Sequence, residues 1–153
     1  MKGYNTMIFR FFTYDEFSDF MYDFNSYEWA LKSDKDDSFE GFRYFSPMNF
    51  QVGFNKEKCL VAFNEKEDPH DIVGLIWFGE YGPYGSKPQQ AVSFIDVRKD
   101  CRRRGIATAL INKFDEFIDK TRPMYISQLS DEGKACHIDE LFKNSLSTEV
   151  ILN

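Results

Sequence analysis

The stretch from Ala91 to Ile111 limits what this chain can fold into more than any other part of it. Ala91-Val92-Ser93-Phe94-Ile95-Asp96-Val97 is an apolar, β-branched run that reads as a strand. A basic turn follows, Arg98-Lys99-Asp100-Cys101-Arg102-Arg103-Arg104, and then Gly105. Beyond the glycine, Ile106, Leu110, Phe114, Phe117 and Ile118 keep helical spacing to about Thr121, where Arg122 and Pro123 stop the run. Lys120 suits the negative end of that helix. The N–H groups freed at the start of such a helix, backed by the positive end of its dipole, form a site for phosphate. Arg102, Arg103 and Arg104 add charge-assisted donors matched to phosphate oxygens. A phosphorylated ligand is therefore expected at this turn.

The rest of the chain supplies the sheet into which such a strand fits. Met7 to Phe12 reads as a first strand, and Thr13-Tyr14-Asp15-Glu16 as a capping box that starts a helix. Phe17, Phe20, Met21 and Phe24 then share one helical face, which is a core stripe rather than a cofactor box. Tyr27 to Leu31 fits a short second helix, Ser33 to Ser38 an exposed linker, and Phe39 to Phe54 an irregular aromatic segment. Cys59–Phe63 and Ile72–Phe78, joined by a polar turn, predict an antiparallel hairpin, with Gly74 marking a bulge or close approach. Gly82 to Pro88 is turn-rich and leads into the Ala91 strand. After the long helix come a strand at Met124–Leu129, a helix started by Ser130-Asp131-Glu132 with Ile138, Leu141 and Phe142 on its buried face, and a last strand at Thr148–Leu152. The order is strand, two helices, three strands, helix, strand, helix, strand. That predicts a mixed α+β or α/β domain built on one sheet, a single domain over residues 1–153.

Composition removes several classes of function. A net charge of −6 argues against general nucleic-acid binding, although Arg98, Lys99 and Arg102–Arg104 are basic. Their confinement to one turn in an otherwise acidic chain favours a small phosphorylated ligand over a nucleic acid. No apolar run approaches the roughly 20 residues of a membrane span, and the N-terminus reads as no signal peptide. Cys59, Cys101 and Cys136 lack metal-ligand spacing, so reduced thiols in the cytoplasm and no metal are expected. The 17 Phe and 8 Tyr supply large rings for a core or a pocket.

With these elements in place, Arg102-Arg103-Arg104-Gly105-Ile106-Ala107 resembles the signature of the GNAT superfamily of acyl-CoA-dependent N-acyltransferases. In that signature Gln or Arg is followed by two residues, Gly, any residue, and Gly or Ala. Arg102, Gly105 and Ala107 stand in those places, Ile95 and Val97 match the end of the family's fourth strand, and Val61-Ala62 and Ile72-Val73-Gly74 resemble its second and third. The resemblance implies acetyl-CoA as co-substrate and a primary amine as acceptor. Its pyrophosphate would lie on the backbone N–H groups from about Arg102 to Thr108, namely Arg102, Arg103, Arg104, Gly105, Ile106, Ala107 and Thr108, with Arg103 or Arg104 near the 3′-phosphate. The pantetheine arm would run beside Ile95 and Val97 like an added strand, where two strands splay apart.

Two departures accompany the resemblance. Where the family often carries a tyrosine that protonates the leaving thiolate, this chain has Phe142, and His137 is the candidate substitute. The usual general-base positions fall near Gln90 to Val92, which accept no proton, leaving Asp96 and Glu80 as the nearest carboxylates and Asp96 as the candidate. The chain also ends after one final strand where two are common, so either the sheet is one strand short or a second copy completes it as a homodimer. The missing tyrosine keeps open a second expectation, a silent module that binds CoA or a protein partner.

Overall fold

The computed structural model describes residues 7–21, 58–81, 89–98, 105–126 and 138–152. The expected helix at Tyr27–Leu31, the linker at Ser33–Ser38, the aromatic segment at Phe39–Phe54 and the turn at Gly82–Pro88 lie outside these residues. Six strands form one sheet in chain order: β1 (Ile8–Thr13), β2 (Lys58–Phe63), β3 (Ile72–Tyr81), β4 (Gln89–Val97), β5 (Met124–Ile126) and β6 (Val150–Leu152). β1 to β4 are antiparallel, whereas β5 runs parallel to β4 and β6 parallel to β5. Parallel neighbours need a crossover. Helices α2 (Ile106–Phe114) and α3 (Ile138–Ser145) supply the two, and α1 (Tyr14–Phe20) follows β1. The expected mixed sheet with flanking helices is the fold.

The α1 start forms as its residues dictate. Glu16 N–H donates to Thr13 Oγ1 at 3.3 Å, and Thr13 N–H donates to Glu16 Oε1 at 2.9 Å, which is a complete capping box. The Thr13 N–H holds the Glu16 carboxyl below its ordinary value. Phe17 is buried, with Phe20 and Met21 packed beside it.

The sheet separates two apolar cores. Phe12, Phe17, Cys59, Val61, Phe63, Leu75 and Trp77 fill the α1 side, where the Cys59 thiol is buried. Leu60, Ile76, Phe78, Val92, Leu110, Phe114 and Phe142 pack on the α2–α3 side. Strand alternation would assign each residue of β3 to one side or the other without interruption. The register shows an interruption: Ala62 faces Gly74 and Phe63 faces Ile72, so Val73 is an extra residue. This is the irregularity that Gly74 predicts. It lets Ile72 and Leu75 share one core while Val73 and Ile76 share the other.

The helix after Gly105 is shorter than its apolar spacing predicts. It ends at Phe114, and the N–H groups of Glu116 and Phe117 turn to carbonyls three residues back, Lys113 and Phe114. Asp115, the C-cap, meanwhile accepts from Ser147 N–H at 2.8 Å and Ser147 Oγ at 2.6 Å, tying the turn to the segment before β6. Phe117 consequently leaves the core: it is 41% exposed and stacks on Phe11 with centroids 5.0 Å apart. Among the described residues no helix is long and apolar enough to cross a membrane.

Phe142 is fully buried and meets Phe114 edge-on at 6.4 Å between centroids. Phe142→Ala should cost about 3–5 kcal/mol, the usual penalty for emptying a buried phenylalanine site. Urea unfolding followed by far-UV circular dichroism measures this, and a loss below about 1 kcal/mol would contradict the packing of α3 on α2.

Candidate functional site

Two features mark the end of β4 and the start of α2, and a third lies at the start of β4. The first is Gly105, the N-cap of α2, whose φ of 78° lies in the left-handed region. A Cβ there costs roughly 1–2 kcal/mol, so the position selects glycine. Its carbonyl accepts the first helical bond, from Ala109 N–H at 3.0 Å. Gly105 has no side chain with which to cap the helix, so helix geometry leaves the first-turn N–H groups of Ile106, Ala107 and Thr108 directed outward. Ile106 is buried and Ala107 packs against the same core, so both can offer an anion only their backbone, while Thr108 and Gly105 are exposed.

The second feature is a bulge in β4. Val92 pairs with Phe78 and Phe94 with Trp77, which makes Ser93 the extra residue. β5 pairs with β4 at Ala91 and Val92 and, among the described residues, no further. The bulge comes directly after these two pairs, and a bulge bends the strand that carries it. Beyond it, Arg98 N–H donates to the Val73 carbonyl at 2.8 Å. That bond makes Val97 and Gly74 a non-hydrogen-bonded pair, as Ile95 and Ile76 are two residues earlier. The backbone N–H and C=O of Ile95 and Val97 therefore point away from β3, toward the side on which β5 pairs with Ala91 and Val92. Their side chains pack into the α2–α3 core.

The third feature is polar and lies at the other end of the β4–β5 contact. Gln90, 7% exposed, donates from Nε2 to the carbonyls of Asp119 (2.6 Å) and Arg122 (2.9 Å), and its Oε1 accepts Asp119 N–H at 3.2 Å. Arg122 in turn donates to Glu80 Oε1 at 2.6 Å and to Asp119 Oδ2 at 2.9 Å. The Glu80 hydrogen bond, then that of Asp119, raises the Arg122 guanidinium above its ordinary value. Glu80 is thereby committed to an ion pair. Between Glu80 and Asp96, the two carboxylates the sequence offers as a base, Glu80 is the one already spent on architecture.

The remaining expected residues can be placed only in part. Asp96 stands in β4 opposite Leu75, at a position that alternates with Ile95 and Val97, and is described by its backbone alone. Arg102, Arg103, Arg104 and His137 lie outside the described residues. Phe142, at the place where the resemblance has a tyrosine, is a core residue. Sequence reasoning overlooked Gln90 as an anchor, treating it only as a residue that takes no proton. No spacing rule could have found it, because its partners stand 29 and 32 residues away.

The chain belongs to the GNAT acetyltransferase family, whose model matches residues 13–135. Among proteins of curated function, none matches the sequence. Among solved structures, the chain is similar to an integron cassette protein from the mobile metagenome of V. cholerae. That match has a TM-score of 0.53 and 14% identity, over 91% of this chain and 83% of that one. It is likewise similar to the aminoglycoside N-acetyltransferase AAC(6')-Iy in complex with CoA, with a TM-score of 0.52 and 16% identity over 94% and 88% of the two chains. At such identities the likeness is one of fold.

The polar cluster carries its own pH dependence. Thr121, through its hydroxyl at 2.6 Å and its N–H at 2.9 Å, and then Arg122 hold the Asp119 carboxyl below its ordinary value. A carboxyl lowered on folding stabilises the protein fully above its unfolded pKa of about 4 and loses that contribution as pH falls through the folded value. The stability difference between wild type and Asp119→Asn should therefore shrink when urea midpoints are compared at pH 7 and pH 3. A difference unchanged with pH would show that the charge of Asp119 contributes nothing.

Proposed function

We propose that this protein is an acetyl-CoA-dependent N-acetyltransferase, one GNAT-like domain over residues 1–153, acting on a primary amine. The observation that carries the reading is the pairing of a left-handed glycine N-cap with a strand whose backbone turns outward just past a bulge. Phosphate and an extended polar chain need these two receptors, a few residues apart. In this reading the N–H groups of Gly105, Ile106, Ala107 and Thr108 receive the pyrophosphate, and Arg102, Arg103 and Arg104 supply positive charge. The arm carrying the thioester lies along β4 beside Ile95 and Val97.

Acyl transfer then follows from proximity. The neutral amine nitrogen attacks the thioester carbonyl carbon, a backbone N–H stabilises the oxyanion, and the C–S bond breaks to leave an amide and a thiolate. The nitrogen gives up one proton and the sulfur takes one. Asp96 is the proposed acceptor and His137 the proposed donor, since Glu80 is held by Arg122. Phe142 favours a second reading, a module that binds CoA without turning it over, because a buried phenyl ring has no proton to deliver.

Thiol release from acetyl-CoA, measured against a panel of polyamine, aminoglycoside, amino acid and lysine peptide, separates the two readings. The first expects release above background with at least one amine, and His137→Gln should then lower kcat by about 10²-fold or more with CoA affinity kept. Binding without release from any amine would favour the silent module. The cofactor site has its own test. Gly105→Asn, which tolerates positive φ, should fold like wild type, whereas Gly105→Val should lose about 1–2 kcal/mol. Both should lose CoA binding by calorimetry, because either Cβ obstructs the approach of phosphate to backbone. Normal binding by Gly105→Asn would overturn the assignment.

A further inference from the structure

Strand alternation sets β4, β5 and β6 apart from the rest of the sheet. β2 buries five consecutive residues, Cys59–Phe63, because both of its faces are covered. β5 instead buries Met124 and Ile126 and leaves Tyr125 between them half-exposed. Val92, Met124 and Ile126 belong to the α2–α3 core, and Val150 packs against it. Alternation therefore puts Ala91, Tyr125 and Ile151 on the α1 face. The register aligns these three in one row across β4, β5 and β6, with Gly79 of β3 next to Ala91. Ala91, Tyr125 and Ile151 are all half-exposed. The α1-side core does not reach them: among the described residues it draws on β1, α1, β2 and β3, and Trp77 is its last residue on β3. β4 and β5 are interior strands, so an open row on their face is a shelf rather than a sheet edge. Among the described residues the Tyr125 hydroxyl has no hydrogen-bond partner and its ring no aromatic one.

We infer that this shelf holds the acceptor, and that the acceptor is a primary amine carried on a flat apolar ring. The inference rests on the acetyl-CoA reading, in which the thioester lies along β4 beyond the Ser93 bulge. One strand then carries both the floor under the acceptor, at Ala91, and the outward amides beside the thioester, at Ile95 and Val97. Ala91 rises no further than a Cβ, and Gly79 opposite it has no side chain to crowd it. A ring laid there stacks beside Tyr125 and takes half-exposed apolar surface out of water. From Ala91 to Ser93 is two strand residues, about 7 Å. A two-carbon arm on the ring covers most of that distance and brings the amine to the bulge. A polyhydroxylated sugar would set its hydroxyls against alanine and isoleucine side chains, which return no hydrogen bond.

The test compares acceptors and variants together. Thiol release from acetyl-CoA is measured with 2-phenylethylamine, tryptamine, spermidine and kanamycin on wild type, Tyr125→Ala, Tyr125→Phe and Ala91→Leu, with folding checked by circular dichroism and CoA affinity by calorimetry. The expected result is the lowest KM with the two aryl amines. Tyr125→Ala should raise that KM about three- to tenfold, the effect of one lost aromatic pair, with CoA affinity kept. Tyr125→Phe, which restores the ring, should recover most of the loss. Ala91→Leu fills the floor and should raise the same KM, so the comparison stands even where Tyr125→Ala fails to fold. A lower KM with spermidine or kanamycin, or an aryl-amine KM unchanged in the folded variants, would overturn the shelf assignment and leave the acetyl-transfer reading intact. Release with none of the four amines would overturn it as well. A wild-type protein that bound no CoA would overturn the acetyl-CoA reading itself, and this inference with it.

Discussion

The structure depends on how its neighbours hold β4. On one side β3 follows it for its whole length, from Tyr81 opposite Gln89 to Gly74 opposite Val97. On the other, β5 meets it at Ala91 and Val92 only, among the described residues. A strand paired on both sides offers no backbone to a ligand, and a strand paired on neither has no fixed shape. β4 past Ser93 is held rigid by β3 while Ile95 and Val97 turn their amides outward. The proposed site depends on those outward-facing amides.

Packing explains how that geometry survives. The α2–α3 face of β4 is buried, so the β4 bulge cannot relax by slipping one residue: a slip would turn its apolar side chains out of that core. With Ser93 as the extra residue, Val92, Ile95 and Val97 all reach the α2–α3 core. The Val73 bulge does the same for β3 against β2. At the opposite end, Gln90 and Arg122 close the β4–β5 junction with hydrogen bonds rather than apolar contacts. An apolar residue at 90 would pack against the turn but could not meet its carbonyls.

Much of this could be read from the chain before any coordinates. The capping box at Thr13 and Glu16, the hairpin, the irregularity beside Gly74 and the glycine before an amphipathic helix all follow from local rules, because their causes lie within a few residues. The errors have a common origin in distant partners. Apolar spacing ran the helix on to Thr121, yet Asp115 is drawn to Ser147 and the chain tightens after Phe114. Phe117 keeps the spacing of a core residue and instead lies on the surface against Phe11 of β1. Glu80 reads as a carboxylate available for proton transfer until Arg122 is found 2.6 Å away, 42 residues on in the sequence.

By itself, the sequence determined that a strand, a basic turn and a helix opening on glycine would stand in that order, and therefore that an anion-receptive helix start would exist. Those properties reside in φ preferences and side-chain periodicity, which act over one or two turns of chain. Only the tertiary structure decided which amides of β4 face away from β3 and which carboxylate is taken by an arginine. Those properties come from register and from contacts between residues tens of positions apart, and no local preference encodes them.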